Sequence, residues 1–287
     1  MRVSVVVPSY NHAQFIRATL ESVLTQDHHD TEVLVHDGAS SDGTVSILQS
    51  YAEKIDFVSE KDAGQADAIN KGLQRATGEI LGYLNSDDIY YPHALQRIVD
   101  YFDTHPDCLA LYGDAHHLHA DGSIMEPYYT EKWSYPRLLQ ICYLCQPAVF
   151  WRREVMERFG LFDATLHYAL DYDYWLRVGQ EVEFHYLEGV YLAGSRLHED
   201  TKTLKQRVAA HREILQVASR YATVAPDNWL MNLAAVTVEA EQRRRGSGQL
   251  DPRTHHCLFV QAVLDNADSQ GIPLPAHVLE HLEQMLQ

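Results

Sequence analysis

Residues 80–92 read ILGYLNSDDIYYP, a short apolar run that is followed at once by polar residues. The run at 80–84 predicts a buried β-strand, and Pro92 favours a helix start because proline is tolerated in the first turn of a helix. Asp87 and Asp88 follow this strand, and adjacent carboxylates repel one another unless a cation or hydrogen-bond donors neutralise them. An isolated Asn-Ser-Asp-Asp segment fits a helix-capping turn equally well, so the neighbouring segments have to decide.

The chain before this stretch repeats one pattern, a strand followed by a helix. Apolar runs at 3–7, 32–36 and 55–59 predict three further strands, and Asn11 with Gln14 predicts a capping box at the first helix. From about residue 108 the pattern becomes mixed, with strands at 109–112 and 148–151 and a hairpin turn at Asp121-Gly122. We therefore expect an α/β fold, in which ligands bind beyond the carboxyl ends of the strands.

Composition and charge restrict the class of protein. The chain has 287 residues, of which 46% are hydrophobic and 22% charged, as in soluble globular proteins. Its 23 basic and 40 acidic residues give a net charge of −17, which repels nucleic-acid phosphates, so we expect no nucleic-acid partner. The apolar run before Pro8 is too short for a signal peptide, and four cysteines suggest no disulfide framework, so a cytoplasmic location is expected.

The last third of the chain differs in pattern from the rest. Residues 204–221, 229–243, 252–264 and 275–286 predict amphipathic helices, with a loop at 245–248. We therefore predict one domain at 1–200 and a helical C-terminal region at 201–287. Three roles stay open for this region: binding the acceptor, supporting a homo-oligomer, or making peripheral contact with a membrane.

Six segments together resemble the family 2 glycosyltransferases with the GT-A fold. In chain order they are PSYN (8–11), HDGASSDGT (36–44), GQADAINKG (64–72), ATGE (76–79), LNSDD (84–88) and LDYDYWLR (170–177). The resemblance covers about residues 2–200. It implies a mixed sheet flanked by helices, a nucleotide-diphosphosugar donor, a divalent metal (Mn²⁺ or Mg²⁺) and inversion at the anomeric carbon. Residues 1–105 would form the nucleotide-sugar-binding half and residues 106–200 the acceptor half.

The resemblance also implies which residues bind the donor. Pro8, Ser9 and Tyr10 match the first nucleotide-binding loop, Asp37 matches the carboxylate that binds the base or ribose, and Asp67 and Lys71 lie in the segment that closes over the nucleotide in relatives. A carboxylate accepts hydrogen bonds from a uracil-like base or a ribose diol, and a tyrosine can stack on a base. For Asp37, a turn aspartate bonded to local amides is the alternative.

The resemblance implies metal and base residues as well. Asp88 matches the direct metal ligand, Asp87 is placed closer to the donor ribose or sugar, and His198 stands where relatives often have a metal-reaching histidine. For His198, an ordinary hydrogen-bonded histidine is the alternative. Asp171 matches the base that deprotonates the acceptor hydroxyl, although Leu170 replaces the glutamate usual before it. The competitor Asp173, two residues further along a helix, would face away from Asp171.

These expectations combine into one function. A dehydrogenase would need a glycine-rich first loop, and PSYN contains no glycine. We expect an inverting transferase that moves a sugar from a nucleotide-diphosphosugar, UDP-linked by preference, to a glycan or lipid-linked acceptor in surface polysaccharide or glycoconjugate synthesis. The alternative is a catalytically degenerate GT-A-fold module that serves binding or assembly.

Overall fold

The structure is a computed structural model that describes residues 1–222, 226–246 and 251–286. The strands are β1 (Val3–Ser9), β2 (Thr31–Asp37), β3 (Asp56–Ser59), β4 (Ile80–Tyr83), β5 (Ile89–Tyr90), β6 (Ala110–Leu118), β7 (Ile124–Pro127), β8 (Val149–Arg152) and β9 (Phe184–Arg196). The helices are α1 (Ile16–Leu24), α2 (Thr44–Ser50), α3 (Gln65–Arg75), α4 (Ala94–Thr104), α5 (Tyr135–Leu138), α6 (Arg153–Phe159), α7 (Leu170–Gly179), α8 (Lys202–Lys205), α9 (Arg207–Tyr221), α10 (Asp227–Arg245), α11 (Pro252–Ser269) and α12 (Ala276–Leu286). A 3₁₀ turn at Gln146–Ala148 precedes β8.

The sheet is mixed, with strand order β3-β2-β1-β4-β8-β6-β9-β5, and β7 pairs with β6. The strands β3, β2, β1 and β4 run parallel to one another, β8 is antiparallel to both β4 and β6, and β9 is parallel to β6. This arrangement confirms the predicted α/β fold with a mixed sheet and flanking helices, and the predicted C-terminal helices are present.

The central strand β1 explains why the sheet forms here. Every residue of β1 is buried, because strands pair with it on both edges and helices cover its faces. Its β-branched valines suit such a strand, and the apolar stripe of α1, formed by Ile16, Leu20 and Val23, belongs to the same core. The register then pairs Ser9 of β1 with Asp37 of β2, so the carboxyl ends of these strands meet.

The predicted capping box at α1 is wrong. The helix begins at Ile16, and its N-cap Phe15 makes no side-chain capping bond. Asn11 instead adopts a left-handed conformation with φ of 52°, which asparagine tolerates better than most residues, and its Oδ1 accepts a hydrogen bond from Ser41 N at 2.9 Å. The loop after β1 is therefore tied to the loop after β2.

Contacts divide the chain into two compact units. The first comprises 1–133 and 143–198, and the second comprises 134–142 and 199–287. Within the second unit α10 packs against α9 and α11, and Asn228 N donates to Gln140 Oε1 at 3.1 Å. The predicted loop at 245–248 starts later than expected, since α10 extends to Arg245, while residues 247 and 248 lie outside the described residues. Among the described helices, none combines the length and apolar character needed to span a bilayer.

Candidate functional site

Polar residues from four strands converge at one edge of the first unit. Ser9 ends β1, Asp37 ends β2, Asp87 and Asp88 lie just beyond β4, and β9 ends at Arg196. Parallel strands place their carboxyl ends on the same edge, which is where α/β sheets bind ligands. Hydrogen bonds between these segments, described below, join them into one site.

Asp37 lies at the centre of the β1–β2 edge and is only 2% exposed. Its Oδ2 accepts from Ser40 N at 2.9 Å and from Ser59 Oγ at 2.7 Å, and its Oδ1 accepts from Ser40 Oγ at 2.5 Å. The carboxylate therefore has the local turn bonds of the alternative interpretation. These bonds also fix its orientation, and each carboxylate oxygen can accept more than one hydrogen bond.

The last residue of β1 and the loop after it offer two groups to a ligand. The buried Oγ of Ser9 has no hydrogen-bond partner within the described part of the chain, which is uncommon for a buried hydroxyl. Tyr10 is 62% exposed, whereas Pro8 is buried in the sheet. A hydroxyl without a partner and an exposed aromatic ring fit a ligand that stacks and accepts a hydrogen bond.

Asp67 and Lys71 lie on α3 and are brought together by the helix. Lys71 Nζ lies 3.3 Å from Asp67 Oδ2 and 3.1 Å from Glu60 Oε1. The backbone N–H of Ala63 donates to Asp67 at 3.0 Å and lowers the pKa of that carboxyl, and Lys71 lowers it further. Both side chains therefore brace the loop between β3 and α3.

Asp88 is buried and faces the protein interior. It is 3% exposed; its Oδ1 accepts from Arg196 N at 2.7 Å, and its Oδ2 accepts from Asn85 Nδ2 at 3.3 Å. Burial raises its pKa well above the ordinary value, and the negative charge of Asp87 raises it further. The carboxylate thus links residues 85–88, here called the acidic segment, to the end of β9.

Asp87, unlike Asp88, has its carboxylate beside two histidines, His198 and His12. Its Oδ2 lies 3.0 Å from His198 Nε2. His12, Asp87 and His198 each offer one atom that could bind a metal, and these three atoms lie within 4.8 Å of one another. The Nδ1 of His12 lies 2.6 Å from Ser86 Oγ, which orients the ring. The structure therefore brings together Asp87 and His198, and it adds His12, which the sequence analysis missed. The missed signal was its position, directly after the polar residues that end β1.

A chain of side-chain amides connects α3, the acidic segment and the 3₁₀ turn. Gln65 Nε2 donates to Asn85 Oδ1 at 2.7 Å, Asn85 Nδ2 donates to Gln146 Oε1 at 3.1 Å, and Gln146 Nε2 donates to Tyr83 O at 2.7 Å. In each of these hydrogen bonds an amide nitrogen donates to an oxygen, so the orientation of one amide group fixes the orientation of the amide that follows it. No sequence pattern indicated this series of amide hydrogen bonds.

Asp171 lies in the first turn of α7 and is half-buried, and its Oδ1 accepts from Tyr172 N at 2.8 Å. Asp173 is 3% exposed and lies 3.8 Å from Arg177 Nη2 on the same helix. The two carboxylates have different surroundings, as their spacing on a helix predicts. Leu170, in place of the usual glutamate, is buried in the core.

Comparison with known proteins identifies the family. The model described as Glycosyl transferase family 2 matches residues 4–158, more than half of the chain. The chain belongs to glycosyl transferase family 2. A glycosyltransferase of Nostoc sp. is 36% identical over 122 residues, which are 41% of this chain and 37% of that protein. TuaG of Bacillus subtilis, named as a teichuronic acid biosynthesis glycosyltransferase, is 41% identical over 104 residues, or 34% of this chain and 41% of TuaG.

Solved structures of glycosyltransferases share the fold of this family 2 member. TarS 1–349 of S. aureus in complex with UDP-GlcNAc aligns over 94% of this chain and 84% of its own, with a TM-score of 0.63 and 19% identity. A mannosyltransferase of Pyrobaculum calidifontis in complex with GDP-Man and Mn²⁺ aligns over 99% and 80%, with a TM-score of 0.57 and 21% identity. These likenesses confirm the GT-A fold that the sequence motifs predicted.

Proposed function

We propose that this family 2 glycosyltransferase is an inverting, metal-dependent enzyme that uses a nucleotide-diphosphosugar, UDP-linked by preference. The acceptor would be a hydroxyl of a glycan or lipid-linked molecule in surface polysaccharide or glycoconjugate synthesis. The observation that carries the proposal is the meeting of Asp87, His198 and His12 at the edge where β1, β2 and β4 end. The nucleotide sugars in the titles of TarS and the mannosyltransferase, and the pathway in the name of TuaG, support it.

The donor's nucleoside would bind between the ends of β1 and β2. Tyr10 would stack on the base, and Ser9 Oγ would form the hydrogen bond that it lacks within the described residues. Asp37, already oriented by Ser40 and Ser59, would accept from the base or the ribose diol. Pro8 would shape the loop, while Asp67 and Lys71 would brace the segment that covers the nucleotide.

The metal would be held by Asp87, His198 and His12. Neighbouring ligands of an octahedral ion lie about 3 Å apart when metal–ligand distances are about 2.1 Å, and Asp87 Oδ2 and His198 Nε2 are 3.0 Å apart. Two imidazole nitrogens favour a transition metal such as Mn²⁺ over Mg²⁺, which prefers oxygen ligands. A bound ion would stabilise the negative charge that develops on the leaving diphosphate.

This ligand set revises the sequence-based assignment of the two aspartates. Asp88 was expected to bind the metal and Asp87 to lie near the donor ribose or sugar. Both oxygens of Asp88 accept hydrogen bonds from protein groups, whereas Asp87 faces His198. We therefore propose Asp87 and His198 as ligands, with His12 added, and assign Asp88 to holding the end of β9.

Asp171 would act as the base. It would take the proton of the acceptor hydroxyl while the hydroxyl oxygen bonds to the anomeric carbon and the bond to the diphosphate breaks on the opposite face. Asp171 is half-buried in the first turn of α7, while Asp173 is buried beside Arg177. With Leu170 in place of the usual glutamate, no second carboxylate would precede the base.

Calorimetric titration tests the proposal. UDP, GDP, dTDP and CDP are each added to the full chain with Mn²⁺, with Mg²⁺ and without metal, and we expect Mn²⁺-dependent binding of one nucleotide. Absence of binding in every combination would favour the degenerate binding or assembly module instead. The nucleotide that binds also selects the sugar donors for a transfer assay.

Asp171→Asn then separates chemistry from binding. We expect it to abolish transfer while nucleotide affinity stays within about twofold of the wild type, since the base acts only on the acceptor proton. Asp173→Asn is the matched control from the same helix turn, and it should retain transfer. Near-wild-type turnover of Asp171→Asn would assign the base to another residue.

Three sets of sequence-based expectations remain predictions. They comprise the division into a donor half at 1–105 and an acceptor half at 106–200, the cytoplasmic location, and the three roles considered for residues 201–287.

A further inference from the structure

Arg196 is a buried cation beside the acidic segment. It is the last residue of β9 and is 6% exposed. Its Nε donates to the main-chain oxygen of Asp87 at 2.7 Å, and its Nη1 donates to the main-chain oxygen of Ala120 at 2.9 Å. Its backbone N–H donates to Asp88 Oδ1 at 2.7 Å. One residue therefore holds the backbone of Asp87, the carboxylate of Asp88 and the turn between β6 and β7.

An aromatic ring connects the same guanidinium to His198. The Cζ of Arg196 lies 5.2 Å from the ring centroid of Phe15, which is within cation–π range. The centroids of Phe15 and His198 are 4.6 Å apart. Phe15 is 7% exposed, so the contact is shielded from water. Arg196 thus supports Asp87 directly and His198 through Phe15.

Burying a guanidinium is costly unless charge and hydrogen bonds compensate for it. Here the guanidinium donates to the main-chain oxygens of Asp87 and Ala120, and the backbone N–H of the same residue donates to the carboxylate of Asp88. A surface arginine would have no need of this arrangement. The cation therefore stabilises a segment in which two adjacent carboxylates would otherwise repel each other.

We infer that Arg196 is a positioning residue of the metal site, which fixes the backbone of Asp87 and, through Phe15, the ring of His198 so that their ligand atoms meet. This inference rests on the proposed function. Residues that orient metal ligands change metal affinity by about 10–100-fold when they are replaced. Arg196 itself contacts neither metal nor substrate in this role.

Arg152 provides a matched control, because its guanidinium also donates to main-chain oxygens and lies near an aromatic ring, at the end of a different strand. Its Nε donates to Cys108 O and its Nη2 to Phe102 O, each at 2.8 Å, and its Cζ lies 4.9 Å from the ring of Phe102. It ends β8 and makes none of the contacts that connect Arg196 to Asp87 and Phe15. Replacing it should disturb stability without acting on the metal ligands.

The test compares Arg196→Lys with Arg152→Lys in the full chain. Lysine keeps the charge but loses the planar fork that donates to two carbonyls. Mn²⁺ binding without nucleotide is followed by electron paramagnetic resonance of the free ion, and thermal unfolding is measured in parallel. We expect similar losses in unfolding temperature and an increase in the Mn²⁺ Kd of about tenfold or more in Arg196→Lys alone.

Equal Mn²⁺ affinity in the two variants, or absence of Mn²⁺ binding by the wild type, would overturn this inference. The proposed function fails as well only if the nucleotide titrations also show no Mn²⁺-dependent binding. If Arg196→Lys does not fold, Phe15→Leu and Phe102→Leu form the second pair. The inference is supported if Phe15→Leu binds Mn²⁺ more weakly than the wild type and Phe102→Leu does not. It is contradicted if both variants bind Mn²⁺ with equal affinity.

Discussion

The amide hydrogen bonds of Gln146 lead to a prediction about two variants of this residue: which of the two is less stable towards unfolding depends on pH. Gln146 is 8% exposed; its Nε2 donates to Tyr83 O, and its Oε1 accepts from Asn85 Nδ2. Gln146→Leu keeps roughly the size of the side chain and removes both bonds. Gln146→Glu keeps the shape but presents a second oxygen to Tyr83 O.

Gln146→Leu lowers the free energy of unfolding by an amount that does not depend on pH. Two hydrogen bonds between buried groups are lost, at about 1 kcal/mol each. We therefore expect a loss of about 2 kcal/mol in the free energy of unfolding at any pH, relative to the wild type under the same conditions.

The glutamate variant can satisfy both partners only when it is protonated, with its O–H donating to Tyr83 O. Its folded-state pKa is therefore raised above the unfolded value of about 4.3. A raised acid pKa gives stability that is complete below the unfolded pKa and is lost as pH rises towards the folded value, at about 1.4 kcal/mol per pH unit. The expected cost relative to the wild type is about 1 kcal/mol at pH 5 and at most about 4 kcal/mol at pH 7.

Thermal unfolding of the wild type and both variants at pH 5 and pH 7 checks this reasoning. A loss of 1 kcal/mol corresponds to about 2–4 °C in a protein of this size class. We expect the glutamate variant to have the lowest unfolding temperature at pH 7 and the leucine variant the lowest at pH 5. The same order at both pH values, or a glutamate variant as stable as the wild type at pH 7, would refute the orientation of the amide chain.

Three further predictions follow from the site and the core. Tyr10→Ala should weaken nucleotide binding by about 1–3 kcal/mol in calorimetry, with an unchanged unfolding temperature because Tyr10 is 62% exposed; unchanged affinity would exclude stacking. Asp87→Asn should raise the Mn²⁺ Kd at least about tenfold, whereas Asp88→Asn should change it less; the reverse order in an Mn²⁺ titration would restore the sequence-based assignment. Gly82→Ala should cost about 1–3 kcal/mol in denaturant unfolding, because its Cβ would lie 2.7 Å from Phe150 Cε1; wild-type stability would show that the ring can shift.

Local pattern was sufficient for the first half of the fold. The runs around Val5, Leu34 and Leu81 have the composition of buried parallel strands, and short connections leave few ways to arrange them. The longest strand, β9, was not predicted, because it mixes buried, half-buried and exposed residues and carries two register shifts against β6. Its place in the sheet depends on pairing with β6, whose partner residues lie 74 to 78 positions earlier in the chain, and periodicity does not report such pairing.

The assignment of Asp87 and Asp88 depended on the same missing information. The two residues do not lie in a strand: Asp87 is in a turn, and Asp88 N donates to Asn85 O at 3.0 Å, so the sequence has no alternating pattern from which to choose the carboxylate that faces the histidines. The choice depends on Arg196, 108 positions further along, whose N–H binds Asp88 Oδ1. The two carboxylates therefore have complementary tasks. Asp88 holds the end of β9, and this places His198, two residues later, where its Nε2 meets Asp87.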